Sequence, residues 1–157
     1  MNVAAHLEKI ECFEDLRRRL DKENDFALWF WVLMNSGTNA LNAALHSAGI
    51  TEAGDYYPVQ PGVYLEPGYP PGTFTPVMRP LGDVIHTDRP RIEVELPPDL
   101  RRMVKAMEII ESYRDPCIRF GREATVEVIA SCEAAYLECV ALARKVIAAA
   151  EEATHDA

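Results

Sequence analysis

Proline and glycine are distributed very unevenly along this chain of 157 residues, and that unevenness constrains the fold more than any other feature. Residues 1 to 48 hold no proline and only Gly37, and residues 99 to 157 hold only Pro116 and Gly121. The remaining ten prolines and six glycines lie in residues 49 to 98. Proline removes a backbone donor and clashes in a helix interior, whereas glycine frees the chain for turns. Long helices are therefore expected only in the two flanking parts. Between them must run an irregular crossover.

In the first part Val3, Leu7, Ile10, Phe13, Leu16 and Leu20 recur at helical spacing with charged residues between them, which predicts one amphipathic helix of about five turns. Asn24 or Asp25 caps a second helix, which runs to about Ser47 and stops at Gly49. The first half of that helix, Phe26 to Met34, is apolar all round. Such a helix needs cover on every side, and a second subunit would supply what one bundle cannot. Pro98 opens a third helix with Leu100, Met103, Val104, Met107, Ile110 and Tyr113 as its buried stripe. Asp115 and Pro116 read as the cap and first residue of a fourth helix that extends to about Glu152. Its small-residue face, Gly121, Ala124, Val128, Cys132, Ala135 and Cys139, suits close approach by Ala40, Ala43 and Ala44 of the second helix.

The predicted fold class is thus all-α, an up-and-down four-helix bundle forming a single domain over residues 1 to 157, with the long Pro/Gly/Tyr-rich crossover of residues 49 to 98 between helices 2 and 3. Four of the six tyrosines lie in the crossover, so it is expected to pack on the bundle or on a partner subunit rather than swing free. Its Pro-Gly pairs at 61–62, 67–68 and 71–72 mark turns. The alternation of residues 84–86 and 92–96 allows a short β-hairpin there.

Composition narrows function by exclusion. At 48% hydrophobic and 26% charged the chain is too apolar for a disordered tail. Its net charge of −9 disfavours nucleic acid as a partner. No apolar run is long enough to span a membrane, and the first residues lack the pattern of a secretory signal, so a cytoplasmic protein with no membrane association is expected. Cys12, Cys117, Cys132 and Cys139 form no C-x-x-C pair, and Cys132 and Cys139 read as small core residues. Phosphate-loop, dinucleotide, nucleophile-elbow and zinc-protease motifs are missing, as is the Glu-x-x-His of di-iron bundles. No metal site and no cofactor are predicted.

The most informative constellation is on the second helix. Asn35, Asn39, Asn42 and His46 are spaced four, three and four apart and fall within one narrow arc. Such a strip suits a network that satisfies the backbone groups of a docked loop. The other use of such a strip is to hold a small polar ligand. His86, followed by Thr87 and Asp88, is a further candidate, either as an oriented base or as part of a hydrogen-bonded turn. Arg114, Arg119 and Arg122 suit an anion or, more simply, local salt bridges. The sequence therefore points to a homodimeric binding or interaction module. The alternative is a small enzyme whose pocket lies between helix 2 and the crossover, with Asn35, Asn39, Asn42, His46 and His86 as ligand-binding residues.

Overall fold

The computed structural model describes residues 1–54, 57–60, 63–78, 82–84 and 94–155. The protein is mostly helical, with one small antiparallel sheet. In chain order the elements are α1 (Val3–Arg17), α2 (Phe26–Ser47), β1 (Tyr57–Gln60), β2 (Val63–Pro67), β3 (Phe74–Met78), α3 (Pro98–Ser112), a π-helical turn (Arg114–Arg119) and α4 (Val126–His155). Among the described residues no helix is long and apolar enough to cross a membrane.

Local chemistry sets the helix ends. The Asn2 side chain accepts from the Ala5 N–H at 2.8 Å and caps α1. This helix stops at Arg17, short of the expected Leu20, because Asp21 organises the next turn. Its carboxylate accepts from the backbone N–H groups of Glu23 and Asn24 and from Asn24 Nδ2. Asp25 occupies the cap position of α2, but its carboxylate accepts from the Asp21 N–H instead of capping. At the other end Gly49 adopts φ +67°, a conformation glycine takes without strain. The Gly49 N–H then reaches His46 O and the Ile50 N–H reaches Leu45 O, a Schellman closure that turns the chain back along α2.

Helix α2 lies in the middle, packed against α1, α3 and α4, and α3 also packs on α4. This explains its all-round apolar half. Trp29, Phe30, Val32, Leu33 and Met34 are buried by the chain's own helices, so their cover requires no second subunit. What remains outside are Ala27 and Leu28, the latter 52% exposed, while Phe26 and Trp31 are partly buried. The predicted approach of α2 to α4 is present, and Gly37 permits close packing of α3 on α2. A Cβ there would come within 2.5 Å of Met107 Sδ. Cys132 and Cys139 are fully buried in this core and burial pushes both thiols up to about 12, so they behave as small hydrophobes.

The fourth helix begins at Val126 rather than at Pro116. Proline has no N–H to continue the helical ladder, and the chain takes a wider turn in which the Phe120 N–H bonds Asp115 O and the Arg122 N–H bonds Pro116 O. Gly121, at φ +68°, then redirects it. Thr125 becomes the cap, with Oγ1 accepting from the Val128 N–H at 3.4 Å. Gly121 and Ala124 therefore lie ahead of the α4 face to which the periodicity assigns them. Arg114 pairs with Glu111 and Asp115, and Arg119 with Asp115, the local salt bridging expected as the simpler reading.

The crossover carries more β structure, and earlier, than its sequence predicts. The three strands run in the order β1-β2-β3 with antiparallel pairing, Tyr64 opposite Val77 and Pro67 opposite Phe74. The β2–β3 connection contains the expected Pro71-Gly72 turn, with Gly72 at φ +90° and the Gly68 N–H bonded to Thr73 O. Of the hairpin anticipated from residues 84–86 and 92–96, positions 85–93 lie outside the described residues, and Val84 and residues 94–96 are irregular.

Candidate functional site

A buried polar centre forms where α1, α2 and the short segment 82–84 meet. Three of its groups come from chain positions far apart: His6 on α1, His46 in the last turn of α2, and Asp83. His6 is completely buried, and the His46 and Asp83 side chains are nearly so. Asp83 Oδ1 lies 2.8 Å from His46 Nε2 and 3.4 Å from His6 Nε2. The two imidazole rings stand 5.4 Å apart between centroids. The Met1 amino group donates to Asp83 Oδ1 and Oδ2 at 3.0 and 2.9 Å.

Each member is oriented by a further partner. His6 Nδ1 meets Asn39 Oδ1 at 2.9 Å, and Asn39 Nδ2 donates to the Asn35 carbonyl at 2.8 Å. His46 Nδ1 meets Thr51 Oγ1 at 2.7 Å, a contact made possible by the Gly49 reversal. Asp83 is placed by its neighbour. The Val84 N–H donates to Asn42 Oδ1 at 2.7 Å, and Asn42 Nδ2 donates to Val84 O at 3.0 Å. One side-chain amide thus satisfies both backbone groups of a crossover residue, as a neighbouring strand would.

Burial alone would raise the Asp83 carboxyl, but contacts from His46, His6 and the Met1 amino group outweigh it and hold the group well below the usual carboxylate range. An unfolded aspartate titrates near pH 4 (about 3.9), so the stabilisation is complete above that value and is lost as pH falls toward the folded value. Thermal melting should therefore decline below about pH 4, and Asp83→Asn should blunt the decline. An undiminished decline in that variant would assign it to other carboxylates.

Of the residues singled out from sequence, Asn39, Asn42 and His46 join this centre or fix its parts. Asn35 contributes through its backbone carbonyl, while its side chain donates to Trp31 O of its own helix at 2.7 Å. His86 lies outside the described residues. Sequence reasoning passes over His6 and Asp83. A signal for His6 exists, since it sits three residues after Val3 and four before Ile10, within the apolar stripe of α1. Asp83, in an irregular segment, carries no periodic signal.

A second polar network joins α1, α2 and α4. The Tyr136 hydroxyl donates to Glu14 Oε1 and lies 2.8 Å from Ser36 Oγ, while Arg17 pairs with Glu14 and Glu133 and stands over the Tyr136 ring. Burial, followed by the hydrogen bond to Glu14, pushes the phenol upward, so Tyr136 stays protonated. Ser36 precedes His46 by ten residues, about 15 Å along a helix axis, so the two networks are separate. A surface cleft lined by Arg17, Leu20, Asp21, Lys22, Glu23, Trp29 and Glu133 borders this network.

The fold and the buried centre define a helical protein whose crossover is clamped by a histidine–aspartate cluster. No protein-family model, curated protein or solved structure matches the chain.

Proposed function

We propose that the protein is an interaction module, an up-and-down four-helix bundle that works as a homodimer through its crossover. The observation that carries this reading is the sheet. Among the described residues β1, β2 and β3 have no extensive packing against any helix, whereas the helices pack extensively on one another. At the β2–β3 loop Tyr69 is 93% exposed and Phe74 is 49% exposed. A sheet of three short strands needs an apolar face covered to be stable. Pro58 in β1 and Pro76 in β3 blunt edge pairing of the two outer strands, which favours contact through the face and loop. The self-covered core of α2 moves the proposed dimer contact from that helix to the crossover.

Sedimentation equilibrium of the full chain at micromolar concentration tests the reading. A dimer that Tyr69→Ser with Phe74→Ser converts to monomer, at unchanged helical circular dichroism, is the expected result. A wild-type monomer would remove the homodimer.

One observation favours a second reading, a small enzyme working between α2 and the crossover. His46 Nε2 stands 2.8 Å from Asp83 Oδ1, the arrangement of an oriented base. Against it stands the burial of His6, His46 and Asp83, since a base must reach its substrate.

A further inference from the structure

We propose that His6, His46 and Asp83 bind one divalent transition-metal cation of the zinc class. The geometry first fixes which side of the His6 ring each partner meets. The Asn35 carbonyl can only accept, so Asn39 must turn Nδ2 toward it and Oδ1 toward His6. Oδ1 also only accepts, so His6 Nδ1 is the donor and its proton sits on that side. Nε2 is then the nitrogen that faces Asp83 Oδ1, 3.4 Å away, and in the neutral ring it is the one with the lone pair. A cation bound there takes the place of the proton that Nε2 otherwise shares with the carboxylate.

His46 likewise has an oxygen partner at each ring nitrogen, although the Thr51 hydroxyl can donate as well as accept. Its Nδ1 is engaged by Thr51 Oγ1, and its Nε2 points at the same carboxylate oxygen. Imidazoles that ligate a metal are commonly held through the second ring nitrogen by an oxygen partner. Asn39 and Thr51 are such partners, and Asn42 fixes Asp83 through Val84.

Around Asp83 the dimensions also fit. Zinc ligands at about 2.0–2.1 Å in a tetrahedron lie roughly 3.3 Å from one another. The Asp83 Oδ1 separations from the two Nε2 atoms are 2.8 and 3.4 Å, and the three donor atoms all lie within 4.8 Å of one another. Two imidazoles and one carboxylate suit zinc, cobalt, nickel or copper, whereas magnesium and calcium prefer all-oxygen shells. The cation takes over the charge that the Met1 ammonium places against Asp83. Its ligands come from α1, α2 and the 82–84 segment, so metal occupancy fastens the crossover to the helices whether the chain is a monomer or a dimer.

The test is a titration of the full-length chain, stripped with a chelator, with Zn²⁺ and Co²⁺. The expected result is one equivalent bound per chain, a raised melting temperature, and Co²⁺ visible bands without thiolate charge transfer. Mg²⁺ should produce neither. His46→Gln and Asp83→Asn should abolish stoichiometric binding, Asn39→Leu should weaken it about 10–100-fold, and His155→Ala should leave it unchanged. Nitrogen-15 NMR of the wild-type chain gives a readout that needs no variant, because the Nε2 resonances of His6 and His46 should shift together on adding Zn²⁺. Failure of the wild-type chain to bind one equivalent, binding that survives His46→Gln in a folded variant, or unmoved His6 and His46 resonances would each overturn the proposal.

Discussion

Asp83→Ala should lower the free energy of unfolding by about 3–5 kcal/mol, the range for removing one partner from a buried ion pair. The size of the effect comes from what stays behind. His6 and His46 remain buried, and the Met1 amino group loses the carboxylate to which it donates. The loss is local as well as global, because the 82–84 segment keeps only the Asn42–Val84 pair of the hydrogen bonds described for the clamp. Urea denaturation should show a lower midpoint, and limited proteolysis should cut the crossover sooner than the helices. A midpoint close to wild type would mean that the centre adds nothing beyond the hydrophobic core.

Trp29→Ala should cost a similar amount, about 3–5 kcal/mol, by emptying the space of a large buried aromatic. Trp29 is almost fully buried in the hydrophobic core, with the Phe26 ring 6.0 Å away. The measurement also discriminates between two roles for the aromatic half of α2. If Trp29 serves the core of one chain, the loss appears in unfolding and does not vary with protein concentration. If it serves an interface, the loss appears in association. The exposed Leu28 provides the contrast, and Leu28→Ala should shift the unfolding midpoint little.

The helical frame was largely legible in the sequence because periodicity and end signals agreed. Gly49 ends α2 and Pro98 opens α3, both where expected. The start of α4 was not legible, since a proline after an aspartate has the signature of a helix start even when it follows a helix that it cannot continue. The sheet was hidden for a related reason. Pro58, Pro67 and Pro76 lie within or at the ends of its strands, where composition suggests only turns.

The candidate site was legible by half. Asn39, Asn42 and His46 announce themselves as an arc because a helix converts spacing into direction. Their partners do not, because pairing between α1, α2 and an irregular segment is a tertiary property. The arc also proved heterogeneous. Asn39 orients a ring, Asn42 imitates a strand, and the Asn35 side chain serves only its own helix.

The His46 ring touches Thr51 with one nitrogen and Asp83 with the other. Residues 52–82 therefore leave and return at a single imidazole, and the excursion is closed at its base like a purse on a drawstring. Changes in the length of such a closed excursion cost little, since the entropy of loop closure grows only with the logarithm of length. Lengthening that excursion at an exposed turn such as Pro71-Gly72 should therefore leave the packing of the helices in place.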